Sequence, residues 1–182
     1  MCSTLCGLNL CHKRFLSTHQ LKAAVHTYVT SKLDYNNSLL AGVPKSSIVK
    51  LKRVQHVAAR LLLGAKKSDH VTPLLAQLHW LPIDQRITFK VLLLVYKSVN
   101  GLGPQYLQEL IELYAPPRSL RSAAECLLKQ PPSRTSYGDR AFSVVGPRLW
   151  NSLPIYIRNC DTISSFKSCL KTFLFRQAFP DF

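Results

Sequence analysis

The run IDQRITFKVLLLVYKSVNG, Ile83 to Gly101, constrains this fold more than any other stretch of the chain. Pro82 presets a backbone dihedral suited to a helix start, and Asn100-Gly101 supplies a stop. Between them the middle, VLLLVY, is apolar nearly all round. A surface helix carries one apolar stripe, so a helix of this kind needs neighbours on several sides. Lys90 and Lys97 bracket the apolar centre, which falls far short of the roughly 18 residues that cross a bilayer. The sequence therefore predicts a core helix around which other helices are arranged.

Those helices are written in the same code of period and punctuation. Leu21, Val25, Tyr28/Val29, Leu33 and Leu40 recur at helical spacing after a Thr18 cap, with Gly42 and Pro44 as the predicted stop. Ser46 or Ser47 opens IVKLKRVQHVAARLLLG, which Gly64 ends. Thr72-Pro73 starts a short segment through Leu78, and His79-Trp80-Leu81-Pro82 is predicted as a turn that buries its Trp. Gly103-Pro104 restarts a helix, QYLQELIELY, terminated by Pro116-Pro117. Residues 116–136 hold two Pro-Pro pairs and weak periodicity, which predicts a connector with a short strand at Cys126–Lys129. In GDRAFSVVGPRLWNSLP, Gly138 to Pro154, the apolar residues Ala141, Phe142, Val144, Val145, Leu149 and Trp150 are predicted to form an anchor turned at Gly146-Pro147. Asp161 or Thr162 caps a last helix with Phe166, Leu170, Phe173 and Leu174 as its buried stripe. The predicted fold is mainly α: an irregular helical bundle with a Pro/Arg-rich connector and a small C-terminal helical extension. Its expected divisions are 1–16, 17–115, 116–136 and 137–182.

Charge narrows the function. Twenty-four Lys and Arg oppose nine Asp and Glu, a formal net charge of +15. The excess runs through the whole chain, 14 against 5 acids in residues 1–115 and 10 against 4 in 116–182, so it is no basic tail on a neutral domain. The richest window lies between Asp34 and Asp69, with seven basic residues and no acid. Such a surface fits a polyanion, because neutralising phosphates releases their counterions. On a helical wheel Ile48, Leu51, Val54, Val57, Ala58, Leu61 and Leu62 fill one arc, while Lys52, Arg53, His56 and Arg60 fill the other. Lys66 and Lys67 follow at the helix exit. A solvated helix usually interleaves both signs, and this one has none of the acids. The candidate nucleic-acid-binding residues are Lys52, Arg53, Arg60, Lys66 and Lys67, joined by Arg118, Arg121 and Arg134 in the connector and by Arg140 and Arg148 beyond it. The competing reading is a basic face that serves solubility, in a structural or protein-interaction module or an inert remnant with no nucleic-acid role.

Reaction chemistry has little to build on. Two-metal phosphoryl transfer needs clustered carboxylates, and the acids here are isolated, with no Asp-Asp and no Asp-x-Asp. No phosphate-binding glycine loop, G-x-S-x-G elbow or H-E-x-x-H pair occurs. Cys2, Cys6, Cys11 and His12 do not follow a zinc-knuckle spacing, so neither a metal nor a cofactor is expected. The start MCSTLCGLNLCHKRF lacks a basic region followed by a long apolar run, so an intracellular protein with free thiols is expected.

LDYNNSLLAGVP (33–44), VQHVAARLLLG (54–64), HVTPLLAQLHWLPIDQRITFKVLLLVYKSVNGLGPQYLQEL (70–110), RSLRS (118–122), GDRAFSVVGPRLWNSLP (138–154) and SSFKSCLKTFLFRQAF (164–179) arrive in that order. Together they resemble the C-terminal region of the reverse transcriptase polyprotein of non-LTR, LINE-type retrotransposons of the jockey-like and chicken-repeat group. The resemblance covers about residue 14 to 179 and is carried by the order and combination of the pieces. It implies a helical, thumb-like segment from Phe15 to about Tyr114 and a terminal extension over 116–182. It also implies element RNA or target DNA as partners, bound without sequence specificity, and contact with a polymerase palm where one is supplied. It implies neither a small-molecule substrate nor a membrane. The family's catalytic Tyr-x-Asp-Asp, with its Mg²⁺, matches no position here, so the expectation is a non-catalytic fragment of an RNA-directed DNA polymerase. Met1 to His12 departs from the family pattern, as a new start codon, frame change or spliced edge would make it.

Overall fold

Ser17, not Thr18, caps the first helix: its hydroxyl accepts from the Gln20 N–H while the Gln20 side chain accepts from the Ser17 N–H. The computed structural model describes residues 17–115 and 126–180. Helix α1, Thr18–Val25, passes into a π turn, His26–Thr30, and then into α2, Ser31–Asp34. The helix ends well before the predicted stop at Gly42. Asn36 takes the left-handed region, φ 51°, which asparagine tolerates better than most residues, and a 3₁₀ turn, Asn37–Leu40, follows.

Helix α3, Lys45–Leu63, starts directly after Pro44 and stops at Gly64, whose φ of 66° a side chain would oppose. Helix α4, Val71–Gln77, leads to the predicted turn, where Trp80 is half-buried rather than enclosed. Helix α5, Ile83–Val99, is the core helix the sequence requires, and a single turn, α6, Gln105–Gln108, comes after it. The longer helix expected there does not form. Residues 112–114 pair instead with 127–129: Tyr114 N–H donates to the Leu127 carbonyl and Lys129 N–H to that of Glu112, each at 2.9 Å. The strand expected at 126–129 is reduced to this one antiparallel bridge, Leu113 to Leu128, and no strand occurs among the described residues.

The stretch from Gly138 makes a 3₁₀ turn, Gly138–Arg140, and then α7, Phe142–Asn151. The expected turn at Gly146-Pro147 is absent, because the helix runs through both residues. Gly146 serves packing here: a Cβ on it would stand 2.9 Å from Val95 Cγ2 of α5, so only glycine lets the two helices approach this closely. Helix α8, Ile155–Arg158, and α9, Ile163–Ala178, complete the chain, with the Thr162 hydroxyl accepting from the Ser165 N–H.

The fold is mainly α, a compact helical bundle. Helix α5 packs against α9, α7, α3, α2 and α6, which satisfies its all-round apolar surface. The largest core joins Val91, Leu92, Val95 and Tyr96 to Val145, Trp150, Phe166 and Leu170, so it draws on both sides of the 116–136 segment. Each such buried side chain contributes about 2 kcal/mol by leaving water. Tyr96 stacks on Phe166 at 4.2 Å, and Trp150 closes the triad 5.9 Å from Phe166. The pair Trp150-Asn151 also grips the bridge segment. Trp150 Nε1 donates to the Cys126 carbonyl, and the Asn151 amide both accepts from Leu128 N–H and donates to its carbonyl. A second core, with Leu21, Val25, Val29, Ile48 and Ile87, holds α1, α3 and α5 together.

Candidate nucleic-acid interface

Helix α3 presents its cations differently from the wheel. Gln55 and Ala59 are buried at 1% and 0% exposure, whereas Val57, expected in the core, is 50% exposed. Two contacts set this rotation. Gln55 Nε2 donates to the Leu81 carbonyl at 2.8 Å, and Ala59 packs with Leu75, Ala76 and Phe179 in a third, small core. The solvent face is therefore a groove of about 540 Å³. Val57, Leu61 and Ala65 form its apolar floor, and Arg53, His56, Arg60 and Lys67 line it with positive or titratable groups. No carboxylate among the described residues lines it. Arg60 is held in place by Nη2 donating to the Asp69 carbonyl at 2.9 Å, with its Nε buried and unbonded among the described residues. Burial, reinforced by Arg60 and Lys52, holds the His56 imidazole below its usual pKa, so it is neutral at pH 7.

The remaining candidates separate. Lys52 is tied to Asp84 of α5, Nζ to Oδ2 2.5 Å, an acid brought to α3 from elsewhere in the chain. Lys66 is exposed at the helix exit, where its backbone N–H donates to Asp69 Oδ2. Arg134 and Arg148 are exposed on the C-terminal part. Arg140 is half-buried: its guanidinium lies 5.3 Å from the Tyr137 ring centre, and a Cβ on Gly42 would meet its Cγ at 3.0 Å. It therefore acts as a packing residue between the N-terminal helices and the Gly138 turn. Arg118 and Arg121 lie outside the described residues, as do Cys2, Cys6, Cys11 and His12.

No protein-family model, no curated protein and no solved structure matches this chain. The site stands on its own geometry. Among the described residues no three His, Cys, Asp or Glu side chains converge as a metal site requires, and Cys126, Cys160 and Cys169 are free thiols. No described helix is long and apolar enough to cross a membrane. The groove gathers Arg53, His56, Arg60 and Lys67 over Val57, Leu61 and Ala65. Sequence reasoning missed a second cationic cavity, walled by His26, His79, Lys90 and Lys171. These residues come from four separate elements, and no local spacing records their meeting.

Proposed function

We propose that the chain is a non-catalytic nucleic-acid-binding module, the post-palm region of a non-LTR retrotransposon reverse transcriptase. It binds RNA or DNA backbone through the α3 groove. One observation carries the reading: Arg53, Arg60 and Lys67 surround a single groove that no carboxylate among the described residues lines. Phosphate contacts of this kind position a strand without reading its bases. The resemblance of the ordered motifs supplies the family, and the charge of +15 supplies the long-range attraction.

Fluorescence anisotropy with RNA and DNA of several sequences tests it. Binding is expected to vary little with sequence and to weaken steeply between about 50 and 200 mM salt. Replacing Arg53, Arg60 and Lys67 together by Gln is expected to reduce the log–log salt slope by about 2 to 3. Absence of binding at low salt defeats the proposal.

The apolar floor favours one second reading, a protein contact with an acidic amphipathic helix. Val57 is 50% exposed at the centre of the groove, and phosphate backbone has no use for it. Val57→Asp separates the two. It abolishes helix docking outright, whereas strand binding weakens only by the charge it adds.

A further inference from the structure

Two backbone irregularities and a buried amide meet at one cavity of about 530 Å³, whose walls come from the N-terminal helices, the turn after α4, α5 and α9. The π turn His26–Thr30 contributes His26 and Thr30 to its wall. His79 lines it from the left-handed region, φ 52°. Asn37 lines it while only 4% exposed, and its buried Oδ1 has no hydrogen-bond partner among the described residues. Backbone irregularities of these kinds carry a cost and recur at functional sites. A buried amide with an unmet acceptor adds to that cost.

The chemistry of the wall is amphipathic. Lys90 and Lys171, both exposed, stand on α5 and α9, and an adjoining hollow shares His79 and Lys171 and adds Arg176. Asp34 is the one carboxylate in either wall among the described residues, and it is already engaged: Arg86 Nη1 donates to its two oxygens at 2.9 and 2.8 Å. Arg86 Nε donates to the Leu81 carbonyl, so the guanidinium is fixed, and Nη2 has no partner among the described residues. Trp80, Phe89 and Leu93 supply an apolar side. Inorganic phosphate leaves that side and Asn37 unused, and a purely apolar ligand leaves the lysines unused. A planar base, a hydroxyl-bearing sugar and a dianionic phosphate engage all three, and the volume falls in the range of small-ligand sites.

We propose that this cleft binds a nucleoside 5′-monophosphate unit, its phosphate held by Lys90 and Lys171 and its base against Trp80 and Phe89. The unit is either a free nucleotide or the phosphorylated end of a strand. The site is separate from the α3 groove, and strand binding by that groove is scored independently.

The full chain is titrated with adenosine 5′-monophosphate and followed by tryptophan fluorescence. Trp80 reports on the cleft, while Trp150, 1% exposed in the core, gives a constant background. Saturable quenching is expected. Adenosine is expected to bind at least about tenfold more weakly, and the nucleotide to bind the Lys90→Gln/Lys171→Gln chain about tenfold more weakly than the parent. Both lysines are exposed, so that variant keeps its circular dichroism, and Lys129→Gln, which lines neither cavity, leaves binding unchanged. Competition by a 5′-phosphorylated short oligoadenylate, stronger than by its 5′-hydroxyl form, assigns the cleft to a strand end. Nucleotide binding without that difference assigns it to the free ligand. Three results overturn the proposal: no saturable quenching up to about 10 mM nucleotide, equal affinity for adenosine, or unchanged affinity in the double variant.

Discussion

The groove on α3 and the cleft beneath His79 enclose nearly the same volume, about 540 and 530 Å³, and are built in opposite ways. The groove is local. Its cations stand on one helix and its exit, and among the described residues Arg53, Arg60 and Lys67 form no ion pair. The cleft is non-local: its ion pair joins residues 52 positions apart, and its lysines stand on α5, the helix of Arg86, and on α9. The buried side of α3, opposite the groove, meets the cleft at one atom. The Leu81 carbonyl accepts from Gln55 of α3 at 2.8 Å and from Arg86 of the cleft at 2.9 Å. The difference teaches where stability and binding part company. Arg53 and Lys67 of the groove enter no ion pair among the described residues, whereas Arg86 serves the fold first.

The largest effect is expected at Arg86. Arg86→Met leaves Asp34 without its partner, and urea denaturation is expected to show a loss of about 2 kcal/mol. That figure lies below the cost of breaking a fully buried pair, because Asp34 is 46% exposed and rehydrates. A loss under about 0.5 kcal/mol would put the pair on a par with surface salt bridges and erase the contrast.

Gln55→Leu comes next, at about 1 to 2 kcal/mol, since it deletes a buried amide–carbonyl bond and frees α3 to rotate. Combined with Arg86→Met it tests the shared atom. Because either donor alone still satisfies the Leu81 carbonyl, the double variant is expected to lose about 1 kcal/mol more than the sum of the singles. Strict additivity would make the α3 and α5 contacts to Leu81 independent.

The third effect is one of pH. His56 is depressed in the folded chain by burial, then by Arg60 and Lys52, so the unfolded chain takes up the proton first. Its contribution to stability is therefore present above about pH 6.5 and lost as pH falls below it. The same proton adds a cation to the groove, so strand affinity is expected to rise over the window in which stability falls. His56→Gln is expected to flatten both curves. Urea midpoints and anisotropy between pH 5.5 and pH 7.5, taken as approximate limits, check the two together.

Arg53→Gln is expected to change least. Its stability stays within about 0.5 kcal/mol of the parent, while the salt slope of strand binding falls by about one. A stability loss as large as that of Arg86→Met would place Arg53 in the fold rather than in the interface.

Much of the architecture was legible in the chain because its causes are short-range. The α5 helix and its need for several neighbours follow from VLLLVY between Pro82 and Gly101, and the stop of α3 follows from Gly64. Where reading failed, a longer-range contact had won. Residues 112–114 left the helix to pair with 127–129, and α7 runs through Gly146-Pro147 where it closes onto Val95. The π turn and the left-handed Asn36 cut the first helix short for reasons no periodicity carries.

The sequence by itself determined a mainly helical bundle, and it put Arg53, Arg60 and Lys67 within reach of one another, since residues on one helix and its exit keep their relative angles whatever surrounds them. Only the tertiary structure decided the absolute rotation of that helix. Gln55 bonding to Leu81 and Ala59 entering the third core turned Val57 outward and gave the basic face an apolar floor. Tertiary structure likewise tied Lys52 to Asp84 and Arg86 to Asp34, and gathered His26, His79, Lys90 and Lys171 around one cleft. A wheel fixes which side chains share a face. Which face meets solvent, and which distant charge meets it, is settled by the packing of every other helix.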